Sequence, residues 1–473
     1  MPTMPKQCPT VYLETHGCKL NQADSQALAR RFTEAGYRMV DAPAQADVCV
    51  VNTCTVTHVA DRKARRALSA SRCANPGALL VATGCYAQRA PQRLAQVEGV
   101  GLVLGNTQKD NLLEQVNRLV GINPLILSLS KEMSGVIASG PPTTDTTLHA
   151  QAPAPGRTRA TVKIQEGCNQ VCAYCIVPKV RGRERSLHPD ALVAQIQRLA
   201  AEGYQEVVLT GTQLGTYGFD VPGTSLAGLI RRLLEKTSVP RLRVSSLQPQ
   251  EISDDLLALW ENPRLCPHFH LPLQSGSAEV LKAMRRRYSP RQYVQAAESI
   301  RQRVARAAIT TDIIVGFPGE TAQQFQETND LCQNVEFSGL NVFPYSQRPG
   351  TSAAHLSLNV EGPEKRHRMD VMLALAWGQA LLYRQTLLGA TCPVLWETSR
   401  SVAGDQVWSG LTDSYVRVAT WSTEPLHNRI TPVVMEHQEG GVVWGRVIQP
   451  FRSGVGPQQC ALLEGPARRG PPE

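Results

Sequence analysis

Along the first hundred residues, short apolar runs alternate with stretches of helical period. Residues 11–14, 48–51, 79–82 and 101–104 are almost continuously apolar and predict buried strands of a parallel sheet. Between the first two, Leu28, Phe32 and Ala35 follow helical spacing, and Gly36 stands where a helix would stop. After the second, Ala60, Ala64 and Leu68 mark one helix face while basic residues line the other. The repeated unit predicts an open α/β sheet domain over residues 10–125. The period is then lost in a Pro-, Thr-, Ala- and Gly-rich stretch, which predicts a linker over 126–158.

The strand-helix rhythm returns six times, with strands predicted at 161–165, 206–210, 241–245, 268–273, 309–315 and 340–344. Helices are predicted between them, as at 189–201, 226–234, 278–286 and 322–334, and a long one at 363–388 leads out. Six such units predict a partial (β/α)6 barrel over 159–388, with ligands at the carboxyl ends of its strands. The last block, 389–451, carries short β-rich pieces at 392–397, 415–419, 432–435 and 442–448 and predicts a small antiparallel β-barrel. Such a barrel can hold nucleic acid or merely cap the fold, and this stretch alone leaves both open.

Composition narrows the classes. With 473 residues, 42% of them hydrophobic and 19% charged, the chain is globular and long enough for two or three domains. No apolar run approaches the ~20 residues that span a bilayer, and residues 1–10 hold no apolar core of a signal, so a soluble cytoplasmic protein is expected. A net charge of +9 favours a polyanionic partner. Four basic runs carry much of it: Arg62 to Arg66, Arg181 to Arg185, Arg285 to Arg287 and Lys365 to Arg368. Each alone reads more readily as a solvated helix face.

Thirteen cysteines without a secretion signal point to metal or redox chemistry rather than disulfides. Cys168, Cys172 and Cys175 form a CxxxCxxC loop directly after the first barrel strand. A structural zinc site commonly wants four ligands as two CxxC pairs, and no second pair lies nearby. Three thiolates on a four-iron cubane instead leave one iron open to a substrate. Cys18, Cys54 and Cys85 each follow the carboxyl end of a predicted strand, one βα unit apart, so a parallel sheet would bring them to one edge. Buried apolar cysteines are the plain alternative, and that is the expectation for Cys49, Cys73, Cys266, Cys332, Cys392 and Cys460, while Cys8 falls in a loose terminus.

The CxxxCxxC loop and the residues immediately after it resemble the radical S-adenosylmethionine (SAM) superfamily. That resemblance implies a 4Fe-4S cluster on Cys168, Cys172 and Cys175 whose open iron binds SAM. It also implies cofactor contacts at strand ends, for which Tyr174, Gly211, Thr212, Ser246, Gln274 and Asp312 are the expected residues. Two cysteine trios followed by a small β domain resemble, more narrowly, the methylthiotransferase family, over about residues 10–380. There the first-domain trio holds a second 4Fe-4S cluster concerned with sulfur, and the terminal TRAM domain binds RNA. Three motifs look like the MtaB-type branch: Thr15-His16-Gly17-Cys18-Lys19-Leu20-Asn21-Gln22, Asn52-Thr53-Cys54-Thr55-Val56-Thr57 with Ala60-Asp61-Arg62-Lys63, and the run from Val342 to Thr351. The substrate implied is N6-threonylcarbamoyladenosine in the tRNA anticodon stem-loop, which becomes its 2-methylthio derivative. An electron donor such as flavodoxin or ferredoxin and a sulfur source are implied as partners. The competing readings are isopentenyladenosine, a ribosomal protein, or a non-catalytic iron-sulfur or zinc protein. The long linker and a divergent TRAM region depart from the family pattern.

Overall fold

A computed structural model describes residues 8–122, 136–137, 158–402 and 404–448. Most of the expected linker, residues 449–451 of the expected terminal barrel and Cys460 lie outside the described residues.

Strands β1 (Thr10–Thr15), β2 (Arg38–Met39), β3 (Val48–Thr53), β4 (Leu79–Gly84), β5 (Val100–Leu104) and β6 (Val136–Ile137) form one parallel sheet in the order β2-β1-β3-β4-β5-β6. β3 and β4 are buried at every position, because helices cover both faces of the sheet. Helix α1 (Lys19–Glu34) sets Leu28 and Phe32 against Val11, Val48 and Val50, while helix α2 (His58–Ala74) sets Ala64 and Leu68 against Cys49, Val51 and Leu80. The Thr57 side chain caps α2 by accepting from the Ala60 amide. One departure from the expected linker is β6, which lies inside that segment and pairs with Leu102 and Val103. Another is Cys73, which is exposed on α2 rather than buried.

The central strands are β7 (Arg159–Lys163), β10 (Glu206–Thr210), β11 (Arg241–Val244), β12 (His268–His270), β13 (Ala308–Val315) and β14 (Gly339–Pro344). They pair in parallel as β11-β10-β7 and β12-β13-β14, and bridges Leu242 to Leu265 and Ser246 to His270 join the two halves into a partial barrel. The strand expected at 161–165 is divided. β7 ends at Lys163, and β8 (Gln165–Glu166) leaves the barrel to pair with β9 (Arg185–Ser186). Alternate residues Ala160, Val162, Val207, Leu209, Leu242, Val244, Phe269 and Ile309 belong to the core under the helices. By the two-residue period of a strand, the intervening Arg159, Glu206, Arg243, His268 and Thr310 face the lumen.

Strands β15 (Thr391–Val402), β16 (Asp405–Thr412), β17 (Arg417–Trp421), β18 (Ile430–Glu439) and β19 (Val442–Val447) close into a five-stranded barrel. β17 and β19 pair in parallel, so the barrel is not wholly antiparallel as expected. The expected strand at 415–419 starts two residues later, because Tyr415 sits in a turn at φ 72°. Trp396 fills this barrel's core, its indole N–H donating to Thr431 at 2.8 Å. The small barrel docks on the amino ends of β7 and β11. There Arg241 donates to the carbonyls of Leu411 and Pro393, and Arg159 pairs with Glu397 at 2.8 Å.

Candidate functional site

The first trio is built at the carboxyl end of the barrel. Gly167, at φ 80°, turns the chain out of β8, and a Cβ there would lie 1.9 Å from the Arg183 carbonyl oxygen, so only glycine fits. The loop is then pinned by backbone bonds: Cys168 N–H to Gly182, Ala173 N–H to Met284, and Ala353 N–H to Ala173. Cys168, Cys172 and Cys175 line one cavity of about 200 Å³ together with Tyr174, Thr212, Ser246 and Gln274. Four of the six expected cofactor residues are therefore gathered around the three sulfurs. Gly211 stands one position before Thr212, and its Cα faces Gln165 closely enough that a Cβ would meet the Gln165 side chain at 3.0 Å. Asp312 does not line this cavity; it faces the barrel lumen, held by His270 at 3.2 Å and Asn341 at 3.0 Å.

The cavity also contains residues that no sequence pattern announced. Gln213, Gln248 and Glu251 form a linked set in which Gln213 donates to Glu251 at 2.5 Å and the Gln248 amide N–H to Glu251 at 2.8 Å. Arg286 donates to Cys172 Sγ at 3.5 Å and to Gln248 at 3.3 Å. Its signal in the sequence was only membership of a basic run. The Thr212 hydroxyl is buried with no hydrogen-bond partner among the described residues, which leaves it for a ligand. Gln274 is held at φ 69°, a conformation that non-glycine residues adopt mainly where surrounding structure demands it.

The second trio lies at the carboxyl edge of the first sheet. Cys18 caps α1 after β1, Cys54 follows β3, and Cys85 opens a short helix, Cys85–Arg89, after β4. These three strands are adjacent in the sheet, so the reading of one shared edge holds. Gly17 allows the close approach, since a Cβ on it would stand 2.9 Å from Cys54 Sγ. Asn106 donates to Cys85 Sγ at 3.4 Å. The trios meet across the domain interface: Cys85 packs on Ile176 and Val180, which belong to the turn and short helix Val177–Arg181 that come after Cys175. Five helical residues span only about 7.5 Å.

Around this junction sits a buried ion network. Asp24 accepts from Lys109 at 2.9 Å, Lys163 at 2.9 Å and Arg181 at 3.2 Å, and Arg181 and Lys163 also pair with Glu166. Burial alone would raise the Asp24 carboxyl, but Lys109, Lys163 and Arg181 hold it well below the usual carboxylate range. Setting aside the exposed Arg185, 3.9 Å from Glu166, three cations against two carboxylates leave one positive charge within electrostatic range of Cys85 and Cys18. A second interface pair, Arg348 to Asp61 at 2.7 Å, joins two of the branch motifs directly, with Arg89 on the same carboxylate at 2.8 Å.

Burial raises the thiols of Cys54 and Cys168 to about 11 and that of Cys175 to about 12. They keep their protons at neutral pH unless a metal centre draws them off. Among the described residues no set of three potential ligands already converges on a single metal-sized point. An iron-sulfur cluster is larger than one ion and takes each thiolate at a separate iron, so the all-sulfur donor sets fit it better than zinc. Cys49, Cys266, Cys332 and Cys392 are buried, and Cys8 is exposed.

Comparison with known proteins identifies the family. Residues 10–105 match a family described as Uncharacterized protein family UPF0004, and residues 162–332 match the Radical SAM superfamily. The chain is 35% identical to the Threonylcarbamoyladenosine tRNA methylthiotransferase MtaB of Bacillus subtilis, over 90% of this chain and 93% of that protein. It is 33% identical to the tRNA-2-methylthio-N(6)-dimethylallyladenosine synthase of Caldicellulosiruptor saccharolyticus, over 82% of each. The fold resembles that of the radical S-adenosylmethionine methyltransferase TsrM from Kitasatospora setae, solved with cobalamin and a 4Fe-4S cluster. The TM-score is 0.53 at 14% identity, covering 73% of this chain and 74% of that one. The superfamily match implies a 4Fe-4S cluster and SAM, for which the cavity around Cys168, Cys172 and Cys175, with its free Thr212 hydroxyl, supplies a fitting donor set. Identity of this extent over nearly the whole chain, together with both family matches, makes the chain a member of the methylthiotransferase family of radical SAM enzymes.

Proposed function

We propose that the protein converts N6-threonylcarbamoyladenosine beside the tRNA anticodon to its 2-methylthio derivative. The observation that carries this reading is that Cys85, from the three-cysteine set on the sheet, packs on Ile176 and Val180, which directly follow the three-cysteine set on the barrel. Cys168, Cys172 and Cys175 would hold the cluster that binds SAM, and Cys18, Cys54 and Cys85 a second 4Fe-4S cluster that carries the sulfur. Together the two clusters and SAM supply one-electron cleavage of SAM and a methylated sulfur.

The chain's own residues have distinct tasks in this reading. Arg286 stabilises the Cys172 thiolate through its hydrogen bond. Thr212, Ser246, Gln274 and Tyr174 orient SAM, with Thr212 offering its free hydroxyl. Arg181 and its excess positive charge offset thiolates at the second site. Closing the two domains together brings sulfur, radical and adenine within contact distance, which makes the reaction effectively unimolecular. The tRNA anticodon stem-loop is the macromolecular partner, with flavodoxin or ferredoxin as electron donor, a separate sulfur source, and the cytoplasm as compartment. No helix among the described residues is long and apolar enough to cross a membrane.

The test is anaerobic reconstitution and then reaction with SAM, reductant and tRNA, with nucleosides resolved by mass spectrometry. A methylthio product on threonylcarbamoyladenosine is expected; product only on isopentenyladenosine would move the protein to the other branch, and absence of 5′-deoxyadenosine would remove the enzyme. Gly167→Ala should fold yet bind less iron, falling toward a single cluster's complement, because the added methyl collides with the Arg183 carbonyl and displaces Cys168. Iron and sulfide counting on the reconstituted variant checks this.

A further inference from the structure

Lys19 directly succeeds Cys18 and starts α1, yet its side chain runs into the barrel lumen rather than along the sheet edge. Its ammonium stands 5.6 Å from the centre of the Tyr415 ring. Arg159 and Arg243 stand over the same ring at 5.6 and 4.8 Å, so three cations converge on one aromatic ring. The carboxylates nearby are already engaged. Glu206 is taken by Arg243 at 2.7 Å, Glu397 by Arg159 at 2.8 Å, and Asp312 by His270 at 3.2 Å. Among the described residues Lys19 therefore has an aromatic face and neighbouring guanidinium groups but no carboxylate in ion-pair contact.

Two further features mark this as a built site. His268 is only 4% exposed, packs its ring at a tilt against Tyr415 with centroids 5.0 Å apart, and has an Nδ1 with no hydrogen-bond partner among the described residues. Tyr415 itself is held at φ 72°, a conformation costly for an aromatic residue and retained only where its surroundings impose it. A half-buried ammonium beside two guanidinium groups is unfavourable until an anion joins it, and an unpaired buried imidazole nitrogen is unfavourable until a polar group meets it. One ligand group that is both anionic and hydrogen-bonding satisfies both.

We propose that Lys19, with His268 beside it and Tyr415 as the floor, forms a carboxylate-binding subsite that receives the threonyl carboxylate of the modified adenosine. The proposal rests on the threonylcarbamoyladenosine reading above and adds the residue that reads that substituent. The chemistry is spatially coherent. The carbon that gains sulfur and the carbon whose exocyclic nitrogen bears the threonylcarbamoyl group lie on the same six-membered ring, one ring nitrogen apart along its edge. Lys19 and Cys18 are likewise consecutive, so one residue would grip the substituent while its neighbour anchors the sulfur-bearing site. Lys19 is thus a specificity-determining residue, separate from the cluster ligands.

The test is equilibrium binding of labelled anticodon stem-loops to the full reconstituted chain. The stem-loops differ only at the target: threonylcarbamoyladenosine as free acid, the same nucleoside as its neutral carboxamide, and plain adenosine. The wild type should bind the acid about tenfold more tightly than the carboxamide, the scale of one charge-assisted hydrogen bond. Lys19→Met should bind both alike, and Lys19→Arg should recover part of the preference, which excludes a folding defect as the cause. Equal wild-type affinity for acid and carboxamide, with the acid still methylthiolated, would overturn the Lys19 assignment and leave the enzyme reading intact. Failure to methylthiolate the acid at all would overturn the threonylcarbamoyladenosine reading itself. An equal loss on all three stem-loops in Lys19→Met would place a backbone phosphate at Lys19 and also overturn the proposal.

Discussion

Cys168→Ala is expected to abolish 5′-deoxyadenosine formation from SAM, whereas Cys54→Ala is expected to uncouple the two halves of the reaction, giving SAM cleavage without methylthio product. The asymmetry comes from position. Cys168 lines the cavity that gathers Thr212, Ser246 and Gln274, so its loss opens the site where SAM would be held. Cys54 lies at the edge of another sheet, beside Cys18 and Cys85 and beyond the Val177–Arg181 helix. Chromatography of 5′-deoxyadenosine and mass spectrometry of tRNA nucleosides, run on the same reaction, read both outcomes. Full methylthiolation by Cys54→Ala would eliminate the second cluster, and undiminished cleavage by Cys168→Ala would eliminate the first.

The second large effect concerns the interface. Asp24→Ala removes the one carboxylate shared by Lys109, Lys163 and Arg181, leaving three buried or half-buried cations against Glu166 alone. Breaking a buried ionic group by removing one partner costs ~3–5 kcal/mol, and the loss should appear as a lower urea midpoint and separation of the sheet from the barrel. The same carboxylate predicts a pH dependence. Its folded value lies well below its unfolded value of about 3.9. The stability it contributes is therefore present above about pH 4 and is lost as pH falls toward the folded value. Urea midpoints measured from pH 7 down to pH 3 should fall in the wild type, while Asp24→Asn, weaker at neutral pH, should show a flatter acid limb. An unchanged midpoint in Asp24→Ala would mean that the network carries no net stability.

Much of the architecture was legible because it rests on local periodicity. The runs at 48–51 and 79–82 are apolar without alternation since both sheet faces are covered, and they appear as β3 and β4. The predicted helix at 189–201 appears as Pro189–Ala201, with Pro189 at its first turn. β16, over Asp405–Thr412, has no clear signal because glycine and polar residues interrupt its apolar pattern, and the parallel closure of β17 on β19 has no local signal at all.

The basic runs show where sequence reading stops. Each looked like a solvated or RNA-facing surface, but three of the four send an arginine inward. Arg181 goes to Asp24 and Glu166, Arg286 to Cys172 and Gln248, and Arg368 to Glu320 and Glu364. Neighbours in a run share a composition and not a direction, and most of their partners lie far away in sequence.

From the sequence by itself came the chemistry: two sets of three cysteines, their order after strands, and the strand-helix rhythm that carries them, all set by spacing within a few tens of residues. Only the tertiary structure decided what surrounds the sulfurs. It joined the two sets through the Val177–Arg181 helix, turned Arg286 onto Cys172, left Asp312 outside the cysteine cavity, and aimed Lys19 at Tyr415. Those relations depend on how the first sheet, the central barrel and the terminal barrel fold and pack on one another, through contacts between residues that no local pattern links.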